Sequence, residues 1–285
     1  MNTEQFQLVR VDLSPADYVH VPQAPRIERR PIFSRGGDNE WAMSGVVGLD
    51  AAGECVGVSN HTWSHLDAPY HLLPDGLSLD EIDPRQYLAS RTRVVDLTDS
   101  NISERRETID GVDYHNRIDV SDLPDGLAGY DALLFVTGFG ALIDRGYPMR
   151  DGADHHYPNV TKAAAERIAE VSSIRLVGID SPSFDKPETN AAAHRVLLGR
   201  RPAPVLLLET LTCERLRRAL NPLPTEILLT VEPLRAYGER PDGALSSVYA
   251  YAATGAEGAA QFDSYMSLMR GAKVFQDGAR DGERA

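Results

Sequence analysis

Apolar positions along this chain recur in two alternating rhythms. Short runs such as "TRVVDLT" (92–98), "DALLFVTGF" (131–139) and "IRLVGID" (174–180) are continuous, β-branched and bounded by turn residues, the pattern of buried strands. Between them the spacing changes. "TKAAAERIAEVS" (161–172) repeats its apolar residues at helical intervals behind Thr161, whose hydroxyl suits a helix cap. "TNAAAHRVLLG" (189–199) predicts a second helix, with Thr189 or Asn190 as cap and Gly199 as stop, after which "RPAPVLLLETL" returns as a strand carrying Glu209. Near the start, "QLVRVDL" (7–13) alternates like a half-buried strand, and the proline-rich stretch after it, through Pro31, is expected as extended loop. "VVGLDAAGECVGVSN" predicts a hairpin. Strands interleaved with helices indicate an α/β domain.

The hairpin delivers the chain into "SNHTWSHLDAPYH", where three of the eight histidines and an aspartate fall within eleven positions: His61, His65, Asp67 and His71. All four numbers are odd, so an extended backbone would project them from one face. A helix would turn Asp67 about 200° away from His65. Pro69 adds to this by restricting Ala68 to extended conformations. Neutral imidazole and carboxylate are donors for zinc, manganese and iron, and three protein donors leave a coordination position open, as catalytic sites do. A closed structural site would be rich in cysteine, and Cys55 and Cys213 stand far apart with no CxxC pair.

Composition narrows the setting. A chain of 285 residues can bury roughly three-quarters of its unfolded surface, so no metal is needed merely to hold the fold. With 29 basic and 42 acidic residues the formal charge is −13, which disfavours nucleic acid and anionic membrane surfaces as partners. "MNTEQFQLVR" lacks a secretion-signal profile and no apolar run approaches the roughly 18 residues of a membrane span, so a cytoplasmic protein acting on a small molecule is expected. From Gly255 the composition shifts. A short helix around Gln261 to Arg270 and then a polar, disordered tail are expected, which divides the chain into a domain over 1–254 and an extension over 255–285.

"HTWSHLDAPYH" resembles the HxGTHxDxPxH signature of the cyclase-like metal-dependent hydrolases, the kynurenine formamidase and isatin hydrolase type. "VGIDSPSFDK", "HRVLLG" and "VLLLE" resemble a second stretch of the same superfamily, and the likeness runs from about "VRVDLS" to "RPDGALSS". The resemblance implies a single swivelling β/β/α domain with a mixed sheet and flanking helices. It implies His61, His65, Asp67, His194 and Glu209 as metal ligands, with Asp67 and Glu209 bridging when two ions bind, and His71 as the proton-transfer group. Zinc is expected first and manganese as the alternative, one or two ions per subunit, in a homodimer or homotetramer. Three departures stand out: Trp63 and Ser64 replace the usual glycine and threonine, the interval from His194 to Glu209 is longer, and "ALSSV" occupies a stretch where many members carry proline and arginine.

The reading that results is hydrolysis of a non-peptide C–N bond in a small aromatic or cyclic amide. The alternatives are metal-dependent cyclisation, dehydration or isomerisation at the same site, and a non-catalytic metal-binding protein. Trp63, Tyr18 and Phe139 are candidate walls for the substrate. His155 and His156, in a loop before a helix, are expected to be solvated, and His20 and His115 have no supporting context.

Overall fold

The computed structural model describes residues 9–12, 28–33, 43–49, 55–99, 103–146, 156–234, 240–252 and 260–267. Fifteen strands lie among them: β1 (Val9–Asp12), β2 (Glu28–Phe33), β3 (Met43–Leu49), β4 (Cys55–Ser59), β5 (His65–Asp67), β6 (Ser90–Asp96), β7 (Arg106–Ile109), β8 (Val112–His115), β9 (Arg117–Ile118), β10 (Ala132–Val136), β11 (Asn159–Val160), β12 (Leu176–Ile179), β13 (Leu206–Glu209), β14 (Glu226–Pro233) and β15 (Gly243–Ala252). Four helices accompany them, α1 (Gly140–Asp144), α2 (Lys162–Ala169), α3 (Ala192–Leu198) and α4 (Cys213–Ala219), and residues 260–267 are also helical.

The main sheet runs β1-β15-β14-β6-β10-β12-β13-β5, and β5 pairs again with β15, so seven of its strands close into a ring. β6, β10, β12 and β13 are mutually parallel, whereas β14, β15 and β5 are antiparallel to their neighbours, which makes this a mixed α/β domain. Strand alternation divides the ring into an inside and an outside. Leu66, Leu134, Leu208, Leu229 and Val248 belong to one cluster that gathers side chains from all seven strands, as the interior of a closed sheet must. Leu133, Phe135, Val177 and Leu207 point the other way and pack under Ala164 and Ile168 of α2 and Ala193 and Leu197 of α3. On β14, outward-facing Leu228 is covered by Phe262 and Met266 of the 260–267 helix.

Most expected elements form, with informative differences. Thr161 caps α2, its side chain accepting from the amide of Ala164. Neither Thr189 nor Asn190 caps α3. Ala191, at φ 51°, takes the capping position without a side-chain bond, and Asp185 receives the amides of Ala193 and His194 instead. The proline-rich stretch is not all loop, because Glu28–Phe33 pairs with β3; the register breaks between Pro31 and Phe33, where proline has no amide to donate. β14 and β15, the two longest strands, were absent from the expected elements. The expected tail beyond 267 lies outside the described residues.

Beside β8 the chain turns tightly at Gly138, whose φ is +96° and where an added Cβ would stand 2.9 Å from the carbonyl oxygen of Asp113. Gly138→Ala is therefore expected to destabilise the fold by about 1–3 kcal/mol. Urea unfolding measures this.

Candidate metal centre

Strand alternation sends His65 and Asp67 of β5 to the outer face of the ring, while Leu66 between them enters the core. Antiparallel pairing sets Glu209 of β13 opposite His65. α3 brings His194 over the same face. The expected extended arrangement holds only for 65–67: His61 comes from the turn before β5, and His71 from a short 3-10 turn, Pro69–His71, after it. The turns nevertheless bring both rings back, with His61 and His71 stacked at a centroid separation of 4.1 Å.

Each of three imidazoles turns one nitrogen inwards to the carboxylates and is braced at the other. His61 Nδ1 lies 2.9 Å from Asp67 Oδ1, and its Nε2 lies 2.7 Å from Asp242 Oδ2. His65 Nε2 lies 3.3 Å from Asp67 Oδ1 and 3.2 Å from Glu209 Oε2, while its Nδ1 is 2.5 Å from the Trp63 carbonyl oxygen. His194 Nε2 lies 3.5 Å from Asp67 Oδ2 and 3.3 Å from Glu209 Oε1, with its Nδ1 2.7 Å from Asp185 Oδ2. An acceptor behind an imidazole fixes its N–H there and leaves the opposite lone pair facing forward, the usual outer support of a metal-binding histidine.

Forward-facing lone pairs aimed at carboxylates in a buried space repel unless positive charge lies between them. His65 Nε2 and both oxygens of Asp67 are buried with no hydrogen bond among the described residues. His61, His65 and Asp67 offer ligand atoms within 4.8 Å of one another, as do Asp67, His71 and His194. The donor set thus fits a divalent cation.

Without a cation, protons supply the charge. Burial works against a charged His61, yet Asp67 and Asp242 together raise it to about 10. His194 is likewise held well above 6.5 despite burial, by Asp185, Asp67 and Glu209. Burial works to raise Asp67, but the surrounding histidines hold it well below 3.8. His71 moves the other way, lowered by burial and by the charge of His61. A pKa raised on folding contributes stability that is complete below the unfolded value and disappears as pH climbs through the folded one. In chelator, the unfolding free energy is therefore expected to fall between about pH 6.5 and 10 through His61. Urea titrations across that range test it.

Two residues with supporting roles had drawn no attention in the sequence. Asp185 braces His194 and also accepts from Thr189 Oγ1 at 2.6 Å. Its place in "SPSFDK" was a usable signal. Asp242 follows a proline in "RPDGALSS" and looks like an ordinary turn residue. Asp185→Asn is expected to weaken metal affinity about 10- to 100-fold, measurable by calorimetric titration with zinc.

Among the candidate walls, Trp63 is half-buried in the turn between His61 and His65. Phe139 is corrected: its ring is 1% exposed and packs edge-to-face on Tyr114 in an apolar cluster with Leu142 and Tyr157, so it offers almost no surface to a ligand. Tyr18, His20 and His155 lie outside the described residues. His156 is exposed, 3.4 Å from Glu107, and His115 is buried beside Asp122 at 3.5 Å.

Residues 11–186 match the profile of the Cyclase family, described as "Putative cyclase". Kynurenine formamidase of Salinibacter ruber (strain DSM 13855 / M31) is 30% identical over 168 residues, 57% of this chain and 69% of that protein. Kynurenine formamidase of Bacillus anthracis is 27% identical over 144 residues, 49% of this chain and 56% of that protein, so the chain spans little more than half of this relative. Isatin hydrolase A from Labrenzia aggregata, solved with benzyl benzoate, shares the fold at a TM-score of 0.52 and 21% identity, over 87% of this chain and 94% of that one.

The donor set is of the kind that would suit a divalent cation, and the similar proteins are by name a formamidase and a hydrolase. Since the profile covers well over half of the sequence, the chain belongs to the Cyclase family. The profile includes His61, His65, Asp67, His71 and Asp185, whereas His194, Glu209 and Asp242 lie beyond it. No helix among the described residues is long and apolar enough to cross a membrane.

Proposed function

We propose that the protein hydrolyses a non-peptide C–N bond of a small aryl amide, an aryl formamide or a cyclic aryl amide, at a divalent cation held by His61, His65, Asp67, His194 and Glu209. The observation that carries this reading is the buried set of inward-facing nitrogens and carboxylate oxygens, each imidazole braced from behind. When bound, the cation supplies acidified water at neutral pH and polarisation of the scissile carbonyl.

The remaining work falls to the chain. His71, whose ring is pushed by burial below the ordinary histidine range, is the group that would accept a proton from the attacking water and return it to the leaving nitrogen. Asp67 and Glu209 would help to hold the cation and compensate the charge of the centre. The half-buried indole of Trp63 forms the wall against which an aromatic ring rests. Zinc is the first choice of metal and manganese the second. The rest of the reading is a swivelling β/β/α catalytic domain over 1–254, with residues 255–285 as an extension, in a cytoplasmic homodimer or homotetramer. The names of the kynurenine formamidase and isatin hydrolase relatives support the substrate class.

Purified protein analysed for metal and offered N-formylkynurenine and isatin tests the reading. Turnover that disappears in chelator and returns with zinc or manganese is expected. Bound metal with no hydrolysis of either compound would transfer the site to cyclisation or dehydration, and the absence of both metal and turnover would remove the enzyme altogether.

A further inference from the structure

Asp242 is buried, its side chain 1% exposed, immediately before the residue of β15 that pairs with Asp67. One of its oxygens, Oδ2, lies 2.7 Å from His61 Nε2 and 3.6 Å from His71 Nδ1. The two rings are stacked over one another at an interplanar angle of 25°, so this oxygen meets a nitrogen from each. The neighbouring Gly243 makes room for the arrangement: an added Cβ would stand 2.9 Å from His61 Cε1 and 2.8 Å from the Leu66 carbonyl oxygen.

The segment that carries His71 is stitched to the one that carries Asp242. The amide of Ala68 donates to the Asp242 carbonyl at 2.9 Å, and that of Leu79 to the Pro241 carbonyl at 2.8 Å. Arg240 lies over the Tyr70 ring at 4.0 Å and donates to the Gly76 carbonyl at 2.7 Å. The carboxylate is thereby fixed relative to both imidazoles by backbone and side-chain bonds on either side of them.

We propose that Asp242 is a positioning residue of the reaction, one carboxylate oxygen setting the tautomers of His61 and His71 together. This rests on the function proposed above. Accepting from Nε2 of His61 leaves that ring's Nδ1 lone pair facing Asp67 and the centre. Standing 3.6 Å from Nδ1 of His71, the same oxygen favours the proton on that nitrogen, which would leave Nε2 as the atom that moves the proton, the same logic by which a buried carboxylate orients a catalytic imidazole elsewhere. Ligand and acid–base group are thus tied through one side chain.

Nitrogen-15 NMR of histidine-labelled, zinc-loaded protein reads the tautomers without recourse to activity. Wild type is expected to carry the His71 proton on Nδ1 and the His61 proton on Nε2. In Asp242→Asn the His71 preference is lost and kcat falls about 10- to 100-fold, with KM and zinc stoichiometry near wild type. Because part of the effect of Asp242 runs through His71, the further loss from Asp242→Asn is expected to be smaller in the His71→Ala background than in wild type. A wild-type His71 protonated on Nε2 overturns the proposal with no variant required. So does an Asp242→Asn protein with unchanged spectra and kcat, and so does the loss of one zinc equivalent that saturating zinc does not restore, which would make Asp242 a ligand. Failure of wild type to take up zinc would instead sink the functional reading itself.

Discussion

His71→Ala is expected to lose about 10²- to 10⁴-fold in kcat, the usual share of a positioned acid–base group, while its metal content stays at the wild-type level. Amide nitrogen is a poor leaving group until protonated, so removing the proton carrier slows bond cleavage more than binding. Geometry makes metal content the decisive control. His71 belongs to a set of possible donors with Asp67 and His194, yet its ring also stacks on His61 with Nδ1 3.6 Å from Asp242. Elemental analysis beside steady-state kinetics separates these roles. Metal retained with kcat lost identifies the proton carrier, whereas metal lost together with kcat would make His71 a fourth ligand and leave the acid–base role without an owner.

Asp67→Asn is expected to abolish turnover through loss of the cation, with metal affinity falling by more than the roughly 100-fold typical of losing an outer partner. The swap preserves volume, removes the anion and turns one of the two acceptor oxygens into an amide donor. Asp67 is fully buried, and its two oxygens face inward nitrogens of His61, His65 and His194, a reach that no other carboxylate among the described residues is shown to have. Zinc titration calorimetry measures the affinity, and circular dichroism confirms that the variant folds. Wild-type affinity in this variant would remove Asp67 from the ligand set and the centre would have to be redrawn around Glu209.

The elements legible in the sequence are those whose signal is local. Continuous apolar runs marked β10 and β12 because parallel central strands are covered on both faces, and Thr161 marked α2 because a cap acts within three residues. The strands β14 and β15 carry good alternation but were passed over, and closure of the ring depends on pairing between β5 and β15, segments nearly 180 residues apart. No local rhythm encodes that partnership. The site divides in the same way. His61, His65, Asp67 and His71 declared themselves by density, though two of the four reach the centre through turns rather than a strand. Asp242 did not, because a carboxylate that braces a histidine from behind has the sequence appearance of any turn aspartate, and even Asp185, inside a motif, shows its role only once the fold brings it to the ring nitrogen.

The ring is joined at β5, which is only three residues long and flanked on both sides by antiparallel partners. Two of those three residues are His65 and Asp67. The shortest stave of the barrel is also the one that would supply two ligands of the proposed centre, so a bound cation would act as a rivet through the seam, tying β5 to Glu209 of β13. A cell short of the metal would then hold this protein not merely idle but loosened along one line.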